Sequence, residues 1–175
     1  MLLDLLYSRR SKRAFSDKPI EKDKVERLIE AALLSPSSRG LDPWEFVVVD
    51  KPETIEKLSQ AKEHGASFLK GAPLAFVVTA DTKRSDVWIE DCSIASFLIH
   101  LEAEELGLGS CWIQIRNRKH SSGTSSQAYI AEILGLPEDQ AVLSMVAVGY
   151  PAEEKSPHTR EELKYEKVHR NRYGE

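Results

Sequence analysis

Cysteine is nearly missing from these 175 residues: only Cys92 and Cys111 occur. They are far apart and make no metal-ligand pattern, so two buried free thiols are expected. The five histidines (His64, His100, His120, His158, His169) also lack ligand spacing. His100 falls in an apolar stretch, where a hydrogen-bonded core histidine is the expectation. No apolar run reaches the ~20 residues that a membrane-spanning helix needs. An excess of basic residues is missing too. Lys and Arg number 24 against 28 Asp and Glu, a net charge of -4, which argues against a nucleic-acid binder. The opening Met1–Leu6 contains Asp4 and soon meets Arg9, so no secretory signal is expected. A cytoplasmic location, where thiols stay reduced, follows as an expectation. There is no catalytic triad, no zinc spacing and no phosphate-binding glycine loop. Gly107 and Gly109 follow a helix rather than a strand and lack the third glycine of a dinucleotide fingerprint.

Against that background one stretch stands out. Arg9-Arg10-Ser11-Lys12-Arg13 puts four cations into five positions of an acidic chain. Guanidinium groups hold phosphate oxygens as planar forks, and Ser11 adds a neutral donor. A compact anion such as phosphate fits the set. A solvated basic patch at the end of the first helix fits it as well.

The spacing of apolar residues predicts a short helix ending near Arg9 and a second over 21–34, stopped by the Ser35–Gly40 loop. A strand is predicted from Trp44 to Val49. A third helix follows, opened by a capping box at Asp50–Glu53. A second strand is predicted over 74–80 and a long helix over 85–106. Between Ile94 and Leu101 that helix is apolar on several faces and needs cover all round, which a second subunit would provide. Glu102–Glu105 reads as its solvated end. A third strand over 110–115, a loop or mobile lid over 116–126, a short helix around Tyr129–Leu134 and a fourth strand over 143–148 complete the order. The expected organisation is one domain over 1–175, with 150–175 as an extended charged tail. A chain with a strong anion site and no acid–base machinery suits an enzyme whose cofactor carries the reaction.

Four motifs, in order and covering nearly the whole chain, resemble the FMN-dependent nitroreductase family. They are Arg9-Arg10-Ser11-Lys12-Arg13 after the first helix, Ser35-Pro36-Ser37-Ser38 followed by Pro43-Trp44, Glu105 to Ile113, and Val148-Gly149-Tyr150-Pro151-Ala152-Glu153-Glu154. The resemblance implies an α+β nitroreductase-like fold, with a mostly antiparallel sheet flanked by helices, in an intertwined homodimer with two FMN sites at the interface. It implies that Arg9, Arg10, Ser11 and Arg13 bind the FMN phosphate and ribityl chain, Arg13 reaching the N1/O2 edge. Pro36, Ser37 and Ser38 would come from the other subunit. Trp112, Ile113, Gln114 and Ile115 would line the flavin ring, with a backbone N–H near N5, and Arg160 would be a second phosphate-binding arginine. The implied activity moves hydride from NAD(P)H through flavin N5 to a small electron-poor acceptor, nitroaromatic or quinone-like, in ping-pong order. Dehalogenation or flavin fragmentation on the same fold, and a flavin-binding protein without efficient turnover, are the alternatives. Apart from the resemblance, Ser37 and Ser38 read as ordinary loop residues, and Trp44 and Trp112 as core.

The chain also departs from the family pattern. Gly40 and Asp42 stand where many members have Asn and Gln. His158 stands where a cation often accompanies the tail arginine, so cofactor binding is expected to be pH-sensitive. Lys70 is out of register with a family Lys or Asn, and Lys119–Ser126 matches no family motif.

Overall fold

The β-branched run Trp44–Val49 (β1) and three further apolar stretches build one antiparallel sheet. They are Leu74–Asp81 (β2), Gly109–Gln114 (β3) and Gln140–Gly149 (β4), in the order β1-β2-β4-β3. These elements come from a computed structural model that describes residues 1–175. The central strands β2 and β4 are buried along almost their whole length, because helices cover both faces and no position can stay polar and wet. On one face Ile55 and Leu58 of helix α3 (Pro52–Ser59) and Ile130 of α5 (Ser126–Leu134) join Val77, Met145 and Ile113. On the other, Leu28 and Ala32 of α2 (Lys22–Leu33) and Cys92, Ile99 and Ala103 of α4 (Trp88–Glu105) join Phe76, Val78 and Val146. Both thiols are free and buried, as expected. No helix is long and apolar enough to cross a membrane.

Two local expectations are corrected. Helix α3 begins with Pro52 at its first turn after Lys51, and no side chain caps it. The N-cap position falls on Lys51, whose side chain has no oxygen to accept a first-turn N–H, so the box predicted from Asp50 does not form. Glu102 is not solvated, since its carboxylate meets Arg27 at 2.7 Å and is largely covered. The 116–126 segment is a loop, as one of the two expected readings had it; it is closed by a bridge between Lys119 and Ser125, and Ser125 caps α5 by accepting from Ala128 N–H at 3.0 Å.

Two glycines shape the edge that matters later. Gly109 of β3 lies opposite Gly149 of β4. A Cβ at Gly149 would stand 2.7 Å from Pro73 Cδ and 3.0 Å from Phe15 Cδ1, and one at Gly109 would stand 3.1 Å from Lys12 Cδ. This bare pair lets the segment after α1 (Leu2–Ser8) cross the sheet end in close contact.

Helix α1 buries nothing. Leu2, Leu3 and Leu6, with Leu33 and Leu34 at the end of α2 and Ile94 and Phe97 on α4, are exposed. Ile94 and Phe97 confirm that α4 is apolar on faces its own chain leaves open.

Candidate functional site

Arg9 ends α1 in an extended conformation, its N–H still bonded to Leu5 O. The chain then runs along the free edge of β3. Ser11 pairs in parallel with Ser110, and Lys12 N–H donates to Ser110 O at 3.0 Å. The segment after β4 closes over the other side. Glu153 Oε1 accepts from the N–H groups of both Arg13 and Ala14. Lys155 Nζ donates to Ser11 O at 2.6 Å, and Arg10 Nη1 donates to Ser156 O. Backbone bonds Ser16 N–H to Tyr150 O and Ala152 N–H to Ala14 O complete the seam. The cationic stretch is therefore a held loop: its backbone is committed and Arg10 is tied to Ser156, while the guanidinium groups of Arg9 and Arg13 make no such bond. None of Arg9, Arg10 and Arg13 belongs to an ion pair of the molecule.

Glu153 spends its charge on backbone donors. The Arg13 N–H holds its carboxyl below the usual glutamate range. Beneath the loop, His100 Nδ1 lies 2.7 Å from Ser110 Oγ. Burial first, and the Arg9 charge second, push the imidazole down to about 4. His100 is thus neutral at ordinary pH and leaves the positive charge of the site to the arginines. Burial pushes the Cys111 thiol up, with Arg13 and Lys155 opposing, which makes it a poor nucleophile.

A cleft of about 710 Å³ lies between Lys12 and residues 151–157. It adjoins the loop but reaches neither β3 nor the Pro36–Ser38 loop. Its lining is charged and mostly formed by the chain turning away from β4, so it is a crease beside the site rather than a ring-sized pocket.

Strand β3 supplies a second set of groups. Because Ser110 O faces Lys12, the strand alternation turns the backbone groups of Trp112 and Gln114 to the open edge as well. The Gln114 carbonyl accepts from Lys62 Nζ at 3.4 Å. Ile113 and Ile115 point their side chains into the core, and their backbone groups face β4, where Ile115 N–H donates to Leu143 O at 3.1 Å. The Trp112 indole donates to Gln114 Oε1, and Gln114 Nε2 donates to Arg116 O. Trp112 also packs against the α4-side core.

The Pro36–Ser38 loop is elsewhere. Ser37 Oγ donates to Asp42 Oδ1 at 2.6 Å and accepts from Asp42 N–H at 2.9 Å. Asp42, one of the two departures, clasps the loop at a positive φ of 45°, and Gly40 has a φ of 63°. Ser38 N–H donates to Asp91 Oδ1, and Ser85 Oγ donates to Asp91 Oδ2. Asp91 is nine residues before His100 on α4, about 14 Å at the α-helical rise. Within one chain the Ser37–Ser38 loop and the arginine loop are therefore apart. The tail brings His158 back to α1, its N–H on Tyr7 O and its Nδ1 2.8 Å from Glu162 Oε2, while Arg160 is exposed.

Sequence reading missed Glu153, Lys155, Asp91 and Lys62. An acid inside an apolar helix was a signal for Asp91. Glu153 lay within a quoted motif, though nothing local marked its partner some 140 positions away. Lys62 had no signal at all.

A model of the Nitroreductase family matches residues 6–63 and 59–150. A curated relative from Archaeoglobus fulgidus, provisionally named NADH dehydrogenase/NAD(P)H nitroreductase, is 36% identical over 98% of both chains. Among solved structures, an FMN-dependent nitroreductase from Clostridium difficile is similar at a TM-score of 0.96 and 47% identity, covering 98% of this chain and 99% of that one. An NADPH:FMN oxidoreductase from Vibrio harveyi, complexed with NAD+, is similar at a TM-score of 0.84 and 27% identity, covering 99% of this chain and 78% of that one.

Proposed function

The chain belongs to the nitroreductase family, and on that premise we propose that it is an FMN-dependent NAD(P)H oxidoreductase working as a homodimer. The observation that carries the reading is three arginines without carboxylate partners on a loop held along the free edge of β3 at Ser110, the same edge to which the N–H groups of Trp112 and Gln114 face. This donor set suits FMN: cations for its phosphate, and neutral N–H groups for its ring.

Arg9, Arg10 and Ser11 would hold the phosphate and ribityl chain, with His158 and Arg160 on the same side. Arg13 would face the ring edge that gains negative charge on reduction, where a fixed cation acts as preorganised stabilisation. The ring would meet the backbone of Trp112–Ile115, through the outward N–H groups at 112 and 114. Bound FMN supplies the hydride chemistry, taking electrons from NAD(P)H and passing them to a nitroaromatic or quinone-like acceptor in ping-pong order. The partner's Pro36–Ser38 loop would cover the ring, since the loop of the same chain is held well away by Asp91. The exposed leucines of α1 and α2, with Ile94 and Phe97, support such an interface. A single domain over 1–175, with its tail from 150, fits this arrangement. The free state of Cys92 and Cys111 agrees with a reducing cytoplasm.

The test is the visible spectrum of the purified protein, with mass spectrometry of whatever denaturation releases. Flavin absorbance with FMN released, and steady NAD(P)H oxidation on adding a quinone, are expected. FAD instead, or no flavin even after incubation with excess FMN, overturns the reading.

A further inference from the structure

A second group of cations lies at the far end of β3. Lys62, His64, Arg118 and Lys119 surround a hollow of about 240 Å³, with Glu63 the only acid on its lining. Neither Lys62, Arg118 nor Lys119 takes part in any ion pair of the molecule. The hollow is built from two connections stitched together. Glu63 N–H donates to Lys119 O at 3.2 Å, and the turn beyond it is closed by the Lys119–Ser125 bridge. His120 stacks on Tyr129 with ring centroids 4.0 Å apart, and Tyr129 Oη donates to Lys57 O. The segment that matches no family motif is thus one wall of this hollow.

The position is informative. Lys62 Nζ donates to the carbonyl of Gln114, the residue whose N–H faces the open edge of β3. Burial and the neighbouring Arg118 hold the Lys62 ammonium below the usual lysine range, a repulsion that a bound anion would relieve. The hollow is too small for a whole nucleotide but suits phosphate groups, which bidentate Arg and point-charge Lys recognise.

We propose that Lys62, Arg118 and Lys119 hold the phosphates of the nicotinamide dinucleotide, the 2′-phosphate of NADPH among them, and so select NADPH over NADH. This rests on the open edge of β3 being the flavin site, since the hollow meets that strand at Gln114 through Lys62.

The probe is adenosine 2′,5′-bisphosphate, titrated calorimetrically at low salt into the purified holoenzyme, with 5′-AMP beside it. Arg118→Ala/Lys119→Ala alters two exposed side chains, and Lys83→Ala, paired with Asp139 elsewhere, is the control. The double variant is expected to bind the bisphosphate roughly tenfold more weakly or worse. Its KM for NADPH should rise more than its KM for NADH, with kcat and flavin content unchanged. Equal bisphosphate affinity in wild type and double variant, or none in the wild type, overturns the proposal. AMP binding as well as the bisphosphate overturns the preference for NADPH. Absence of flavin in the wild type overturns the flavin reading of the site instead, and the titration still decides whether this hollow takes phosphate.

Discussion

Ser38 N–H donates to Asp91 Oδ1 at 2.9 Å, so a buried carboxylate near the start of α4 fixes the loop that the proposed dimer presents to its partner. The same carboxylate takes Ser85 Oγ on its other oxygen. Asp91→Ala leaves two donors unsatisfied, which costs about 1–3 kcal/mol when such groups are buried. Urea unfolding should show that loss. Asp91→Asn retains an acceptor and should lose less. A midpoint unchanged in both variants would mean that the loop holds itself through the Ser37–Asp42 clasp alone.

Arg9→Ala and Arg13→Ala should each weaken FMN binding by roughly tenfold or more, the equivalent of one charge-assisted hydrogen bond of ~1.5–3 kcal/mol. Lys12→Ala should do less, because its stem lies over Gly109 and its head lines the crease. Fluorescence titration of the apoprotein with FMN ranks the three. Lys12→Ala as the most damaging change would reassign the anion site to the crease beside residues 151–157.

The buried His100 predicts a pH dependence of stability. Its pKa in the folded chain is lowered from 6.5 to about 4, so the unfolded chain binds the proton more readily. Its stabilising share is complete above pH ~6.5 and is lost as pH falls towards 4. A shift of that size amounts to about 3 kcal/mol at most. Urea unfolding between pH 7.5 and 4.5 should show a shallower decline in His100→Gln than in the wild type. Parallel declines would remove His100 as the cause.

Shared sites can be tested by mixing. Arg9→Ala/Arg13→Ala and Ser38→Glu should each be inactive as homodimers. Co-refolded heterodimers should recover one intact site, because both lesions then fall in the other. Heterodimers that form but stay inactive would show that each site belongs to one chain.

Gly149→Ala should be destabilising by about 1–3 kcal/mol, as overpacking is in a closely packed interior, and should loosen flavin binding as well. Its Cβ would meet Pro73 and Phe15, and Phe15 is held beside Pro151 by the seam that carries the arginine loop. Thermal denaturation and FMN affinity, measured together, check both effects.

Much of this architecture was legible in the sequence because burial there follows simple periods. β1 was read at its observed limits, since Trp44–Val49 is β-branched and flanked by breakers. β4 starts three residues before its predicted Leu143, because Gln140 and Ala141 carry no strand signal and are fixed by pairing with Asp81 and Ala80. α4 starts at Trp88 rather than Ser85, because the Ser85 hydroxyl bonds Val87 N–H and Asp91 before the helix begins. The arginine loop was legible as charge in the wrong background. Its clamp by Glu153 and Lys155 was not, because long-range hydrogen bonds leave no local pattern.

That clamp has a consequence for how the chain comes into being. Arg10 finds Ser156 across 146 positions, and Ser11 finds Lys155 across 144. The first part of the site to leave the ribosome is therefore among the last to gain its partners, because closing such long loops follows sheet formation. A nascent chain whose residues 153–156 have not yet emerged has the arginines but lacks that side of the seam. Cofactor capture would then report that residues 153–156 have been made and have folded back onto the arginine loop.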